Sequence, residues 1–169
     1  LQSKIAQDGQ HGFSQICFSL QSAFKQQFDN AAEYDTCLLH PPALMGDNNC
    51  VATGVTDVQA RAYVRLYSSL DFACGVGYSQ FYNSDEECMK AAFKDDKAVL
   101  KGCQSDFDNL IAADPMDSCP YVDQTTDCFG NAFSACGASA KWFGCEYERM
   151  GLQAAYGACG QTYCHYVAA

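Results

Sequence analysis

Twelve cysteines in a chain of 169 residues constrain this fold more than any other feature of the sequence. Their number is even, they are spread along almost the whole chain, and no C-x2-C pair of the zinc-binding kind occurs among them. The closest pair, Cys159 and Cys164, is followed by His165 but has no matching second half-site. We therefore predict six disulfide bonds rather than a metal site, and their connectivity stays open because twelve cysteines pair in roughly ten thousand ways. The cysteines are Cys17, Cys37, Cys50, Cys74, Cys88, Cys103, Cys119, Cys128, Cys136, Cys145, Cys159 and Cys164.

Disulfide bonds favour a secreted, extracellular protein, because the cytosol keeps thiols reduced. The chain begins at Leu1 with no basic and apolar leader, which is typical of a mature protein after removal of its signal peptide. No window approaches about 18 consecutive apolar residues, so we expect no membrane span. The length fits one cysteine-rich helical domain over residues 1–169, in which residues 1–11 are expected to be flexible.

Apolar residues recur at steps of three and four along most of the chain, and this period indicates helices. The first such stretch covers residues 12–40 and ends at a pair of prolines. Another helix is predicted after Thr56, a candidate N-cap. The apolar residues on one face of that helix are Val58, Ala62, Leu66 and Leu70. Because β-branched residues are scarce, we predict an all-α, single-domain helical bundle with about six disulfides and little or no β-sheet.

Acidic residues outnumber basic residues 20 to 10, which gives the chain a net charge of −10. Nucleic-acid backbones and anionic membranes repel such a chain, so we expect no nucleic-acid partner. Two interpretations of the charge stay open. It serves solubility, or it matches a cationic partner or an acidic fluid.

The sequence carries no recognisable catalytic site. Its three histidines are His11, His40 and His165, and each is expected to be a surface or capping residue. The nucleophile elbow, the H-E-x-x-H zinc motif and the P-loop are absent, and the acidic stretches do not follow a calcium-binding loop. We predict a non-enzymatic protein with no catalytic residue, no cofactor and no metal ligand.

Aromatic residues are in surplus, with 11 Phe, 10 Tyr and one Trp. Tyrosine and tryptophan are enriched at protein interfaces, because each joins an apolar ring to a polar atom. The candidate contact face in the C-terminal quarter consists of Trp142, Tyr147, Tyr156, Tyr163 and Tyr166. Core, interface and the lining of an apolar pocket are all open interpretations of this group.

The cysteine spacing over the C-terminal hundred residues resembles a family of helical secreted domains in nematodes, of the type associated with chondroitin proteoglycans. The segments that carry the resemblance are Ser69-Leu70-Asp71-Phe72-Ala73-Cys74, Cys88-Met89, Cys136-Gly137, Cys145, Cys159 and Cys164. The resemblance implies an extracellular, helical and non-enzymatic protein. It does not extend to the proteoglycan role, because the chain has no Ser-Gly dipeptide.

Three functions are compatible with these features. The preferred one is a secreted protein that acts through protein–protein contacts or self-association, as a structural subunit of an extracellular matrix, coat or filament. The alternative is a carrier of a small apolar ligand or lipid, and the third is a secreted effector or immune modulator. The carrier cavity is predicted from Phe24, Phe28, Tyr63, Phe107 and Leu110, which are also core candidates. The partner, the ligand and the oligomeric state are not determined by the sequence.

Overall fold

The computed structural model describes residues 2–27, 33–46, 50, 54–95, 97–157, 159 and 163–164. Every regular element in these ranges is helical and none is a strand, so the predicted all-α class is confirmed. The α-helices are α1 (Gln2–Ser19), α2 (Pro41–Leu44), α3 (Asp57–Cys74), α4 (Tyr78–Tyr82), α5 (Glu86–Asp95), α6 (Lys97–Ala113), α7 (Ser118–Ala132) and α8 (Ala138–Tyr156). Short π-helical or 3₁₀ segments cover Leu20–Phe24, Lys25–Gln27, Tyr34–Leu38 and Ser134–Cys136.

Helix α8 is the element around which the others are arranged. It packs against both α3 and α7, while α1 packs against α5 and α6 packs against α7. Phe143 of α8 is buried at the centre of the largest core cluster. Its ring centroid lies between 5.3 and 6.5 Å from those of Phe13, Phe72, Phe81 and Phe133. Aromatic rings from four other helical regions therefore meet on one side chain of α8.

Residues 2–11, which we predicted to be flexible, belong to α1 in the structure. Ile5 is buried in the main core cluster. The helix kinks at Gly9, whose φ of 55° is in the left-handed region that favours glycine. At this kink the backbone N–H of Gln10 donates to Oε1 of Glu86 on α5, at 3.0 Å. The kink interrupts the helical period, which is why the apolar spacing of this segment was not recognisable in the sequence.

Helix α3 begins at the cap that the sequence predicts. The backbone N–H of Gln59 donates to Oγ1 of Thr56 at 3.3 Å, and the backbone N–H of Thr56 donates to Oε1 of Gln59 at 2.9 Å. This reciprocal pair is a capping box, and it satisfies backbone donors that the first turn of a helix leaves free.

The apolar stripe predicted on α3 is not the face that this helix buries. Val58 is 76% exposed and Leu66 is 44% exposed. The buried face instead carries mostly small or medium side chains, including Ala60, Val64 and Ser69, together with the ring of Phe72. Small residues allow α8 to approach closely, and Val58 and Leu66 lie on a different face of the helix.

Close approach of α3 and α8 occurs at Gly151. A Cβ atom added there would lie 2.6 Å from the carbonyl oxygen of Arg65 and would overlap Oγ of Ser69. Gly144 of α8 is in similar contact with the ring of Phe133. The glycines of α8 are thus positions at which neighbouring elements touch its backbone.

Six disulfide bonds link the cysteines, and none of the twelve is free. The pairs are Cys17–Cys74, Cys37–Cys50, Cys88–Cys136, Cys103–Cys128, Cys119–Cys159 and Cys145–Cys164. Their Cα–Cα distances run from 5.2 to 6.0 Å, within the usual range for disulfides. The first pair joins the end of α1 to the end of α3, and the last two attach the segment after α8 to α7 and α8. The six predicted disulfides are confirmed.

None of the helices in the described ranges combines the length and the apolar character needed to cross a lipid bilayer.

Candidate functional site

A cleft of about 810 Å³ lies where α3, α6 and α8 meet. Its lining includes seven residues of α3 between positions 57 and 69, four residues of α6 between positions 104 and 112, and three residues of α8. Small-molecule and cofactor sites commonly have volumes of about 300–1,000 Å³. This cleft is the candidate functional site.

The apolar part of the cleft comes mainly from the stripe on α3. Val58, Ala62 and Leu66 follow each other at four-residue steps, so they lie on one face of the helix. Ile111 and Ala112 of α6 are also part of the lining. Val58 and Leu66 remain exposed in this chain, so the cleft presents apolar surface to whatever enters it.

The polar part of the cleft is an ion pair between Arg65 of α3 and Glu148 of α8. Nε of Arg65 donates to Oε1 of Glu148 at 2.8 Å, and Nη2 donates to the same oxygen. Glu148 is only 1% exposed. The guanidinium also lies 5.1 Å from the ring centroid of Phe107 and 3.5 Å from Oδ1 of Asp108. Arg65 of α3 is therefore held by partners from two other helices, α6 and α8.

Burial raises the pKa of Glu148, because a carboxylate in an apolar surrounding loses its hydration. The charge and the hydrogen bonds of Arg65 act in the opposite direction, and Asp108 adds to the increase. Burial also raises the pKa of the neighbouring Tyr147 phenol. The ion pair is thus a polar group inside a largely apolar environment.

Arg61, one turn before Arg65, is also satisfied within the chain. Its Nε donates to Oδ2 of Asp57 at 2.8 Å, and its Nη1 donates to the carbonyl oxygen of Ala155 at 2.5 Å. The guanidinium lies 5.2 Å from the ring centroid of Tyr156. Both arginines of the cleft therefore already have anionic partners.

Carboxylates dominate the accessible charge around the cleft. The Asp108 side chain is 66% exposed, and that of Asp57 is half-exposed. Asp114 and Asp117 are exposed and adjoin Pro115 and Ser118, which line the cleft. Asp57 and Asp108 are themselves ion-pair partners of Arg61 and Arg65, but with Glu148 the lining holds three carboxylates against two guanidinium groups. The mouth of the cleft is therefore acidic by the excess carboxylate and by Asp114 and Asp117 beside it.

The predicted aromatic contact face is divided by the structure. Tyr147 and Tyr156 line the cleft. Trp142 packs against the main core cluster, with its ring 5.7 Å from that of Phe72. Tyr163 is exposed near the end of the described chain. Tyr166 lies outside the described residues, so the structure brings together two of the five predicted members.

The residues predicted for a carrier cavity do not assemble into one in the described part of the chain. Phe107 is fully buried in a core cluster with Val122 and Leu152, whereas Tyr63 is about half-exposed. Leu110 is partly buried on α6. Phe28 and the side chain of Phe24 lie outside the described residues.

No described histidine lines the cleft, and no group of three or more His, Cys, Asp or Glu side chains among the described residues is arranged to hold a metal ion. His11 Nε2 is hydrogen-bonded to Nε2 of Gln15 at 2.8 Å, and His40 is exposed. His165 lies outside the described residues.

The ionic residues of the cleft were not predicted from the sequence. Arg65 and Glu148 are separated by 83 residues and meet only because α3 packs against α8. The one available signal was the pair Arg61 and Arg65, which follow each other at a four-residue step beside the apolar stripe.

Comparison with protein-family models, with curated proteins and with solved structures finds no match to this chain, so its resemblance to the nematode secreted domains stays a prediction.

Proposed function

We propose that this chain is an extracellular, non-enzymatic binding protein that takes a protein partner in the cleft between α3, α6 and α8. The observation that carries the proposal is the apolar stripe of α3, in which Val58 and Leu66 are exposed although an adjoining face of the same helix packs closely against α8. Exposed apolar surface of this kind, bordered by polar residues, is typical of interaction sites.

The six disulfides support an extracellular location, since such bonds persist in oxidising compartments. They also suit a binding protein, because cross-links hold the cleft helices in place and reduce the entropy lost on binding. If the partner is a second copy of the chain, the protein acts as a structural subunit of a matrix or coat. If the partner belongs to another organism or cell, the protein acts as a secreted effector.

Photo-crosslinking tests the proposal directly. The photoreactive residue benzoylphenylalanine is introduced in place of Leu66 inside the cleft, and in a control variant in place of Val76. Val76 is 76% exposed in the turn after α3 and is not part of the cleft lining. Both variants are irradiated in the extracellular fluid of the source organism. We expect a discrete cross-linked partner from position 66 and none from position 76.

Equal products from the two positions, or none from position 66, would contradict the proposal. A product with twice the mass of the chain would identify the partner as a second copy and support the structural-subunit form. The intact mass of each product separates these results.

A carrier of a small amphiphile is the second candidate, and the cleft volume of about 810 Å³ favours it. The ion pair of Arg65 and Glu148 makes the cleft unsuitable for a wholly apolar ligand. Native mass spectrometry of protein from its source tests this candidate. We expect a carrier to retain a small additional mass that is lost on denaturation, and a bare chain would contradict it.

A further inference from the structure

We infer that the partner presents a basic amphipathic helix to the cleft. The inference rests on the proposed function and names the chemistry of the partner. It follows from three properties of the cleft: the length of its apolar stripe, the kind of backbone that surrounds it, and the sign of its accessible charge.

The apolar stripe has the length of a short helical contact. Val58 and Leu66 are eight residues apart on one helix, which corresponds to about 12 Å at a rise of about 1.5 Å per residue. A partner helix of about two turns presents apolar side chains over the same length, at positions i, i+3 or i+4, and i+7. Such a helix packs its ridges into the grooves of the helices that border the cleft.

The surrounding backbone favours a helix over an extended peptide. The segments of α3, α6 and α8 that line the cleft are α-helical, and their backbone groups are bonded within each helix. No sheet edge exists in the described part of the chain to which an extended peptide could add as a strand. Recognition therefore takes place between side chains, which is how amphipathic helices bind.

The charge of the cleft selects a basic partner. Arg61 and Arg65 are bound to Asp57 and Glu148, so neither offers a free positive charge to an acidic ligand. Asp108 is 66% exposed at the border although Arg65 lies 3.5 Å from it, the lining holds three carboxylates against two arginines, and the whole chain has a net charge of −10. Lysine or arginine residues that flank the apolar stripe of the partner can reach these carboxylates. A second copy of this chain would instead bring two acidic borders together.

The test uses three fluorescently labelled peptides of about 16 residues, roughly four helical turns. The first contains leucine and lysine in an amphipathic pattern, the second has glutamate in place of every lysine, and the third has the composition of the first with the pattern shuffled. Their affinities for the intact disulfide-bonded protein are measured by fluorescence anisotropy at about 0.15 M salt. We expect the first peptide to bind about tenfold or more tightly than either of the others.

Two pairs of variants localise the binding to the cleft. Val58→Asp and Val76→Asp introduce the same charge at positions with the same 76% exposure, but only Val58 lines the cleft. We expect Val58→Asp to weaken binding of the leucine–lysine peptide about tenfold, although the added carboxylate attracts lysine. Val76→Asp should leave it unchanged. In the second pair, Asp108→Asn should weaken binding and reduce its salt dependence, whereas Asp106→Asn, an exposed position of α6 outside the lining, should have little effect.

Four results would each overturn the inference. The leucine–lysine peptide does not bind, or the shuffled peptide or the glutamate peptide binds as tightly as it does, or Val58→Asp binds it as tightly as the wild type. A failed peptide test together with a specific cross-link from position 66 would leave the binding function standing and reject only the basic helix. In that case the mass of the cross-linked product identifies the occupant as a second copy or as a partner of another chemistry. If both the peptide test and the cross-linking test fail, the basic helix and the proposed binding function are both rejected.

Discussion

Arg65 and Glu148 form the most consequential side-chain contact of this protein. The carboxylate is almost completely buried, and the guanidinium reaches it with two of its nitrogens. Desolvation of two charges offsets most of the attraction between them, so a buried pair contributes little net stability compared with apolar residues of the same volume. Loss of one partner, however, leaves a buried charge without its main counter-ion.

We expect Glu148→Leu to lower the free energy of unfolding by about 3–5 kcal/mol, because Arg65 is then buried without its main partner. The double variant Arg65→Met with Glu148→Leu should recover most of this loss, since it removes both charges together. Urea unfolding of the wild type, the two single variants and the double variant measures the coupling. A double variant as unstable as the sum of the single variants would contradict this account.

The pH dependence of stability has a defined sign at Glu148. Burial raises its pKa above the ordinary value of 4.5, so the native state keeps the proton to higher pH than the unfolded state does. Stability from this group is therefore lost as the pH rises from about 4.5 through the native pKa. We expect the free energy of unfolding of the wild type, relative to Glu148→Gln, to fall over this range and to be constant below it. If the difference in unfolding free energy between the wild type and Glu148→Gln instead grows with pH, the effect of Arg65 on the pKa of Glu148 outweighs that of burial.

At the scale of elements, the packing of α3 on α8 decides which faces stay accessible. Gly151 allows the backbone of α8 to approach the carbonyl oxygen of Arg65 and the hydroxyl of Ser69. This contact uses the small residues of α3 and leaves the stripe with Val58 and Leu66 for the cleft. The cleft is thus a consequence of tight packing elsewhere on the same helix.

We expect Gly151→Ala to destabilise the protein by about 1–3 kcal/mol, because the added methyl group would lie 2.6 Å from the carbonyl oxygen of Arg65, a backbone atom held in place by α3. Gly102→Ala is the matched control. It lies inside α6, and nothing is found within 4 Å of the position that a Cβ would occupy there. This second variant should stabilise the protein by about 0.5–1 kcal/mol through the higher helix propensity of alanine. Thermal or urea unfolding of both variants measures the contrast, and equal effects would contradict the packing argument.

At the scale of the whole molecule, the disulfides close loops of very different length. Cys17 and Cys74 are separated by 57 residues, whereas Cys37 and Cys50 are separated by 13. The loss of entropy that a cross-link imposes on the unfolded chain grows with the length of the closed loop. The long bridge therefore constrains the unfolded state more than the short one.

We expect the variant Cys17→Ala with Cys74→Ala to lose about 4 kcal/mol of stability, and the variant Cys37→Ala with Cys50→Ala to lose about 3 kcal/mol. Burial of Cys17 in the core acts in the same direction, since alanine leaves a space where sulfur packed. Urea unfolding under non-reducing conditions gives both values. A larger loss from the short loop would contradict the order.

Local spacing within the sequence determined the helices, the cap at Thr56 and the formation of disulfides. Each of these features depends on neighbours within a few residues or on the redox chemistry of cysteine itself. They can therefore be predicted from one amino-acid sequence. The kink at Gly9 was the exception at this scale, because the period of α1 is interrupted there.

Only the tertiary structure decided which cysteines pair, which face of α3 is buried, and where the cleft lies. The disulfide between Cys17 and Cys74 and the ion pair between Arg65 and Glu148 join residues 57 and 83 positions apart. Contacts at such separations depend on how whole helices pack, and the spacing of residues along one helix carries no record of its neighbour. The apolar stripe of α3 was visible in the sequence, but that α8 packs beside this stripe and leaves it exposed is a property of the folded chain alone.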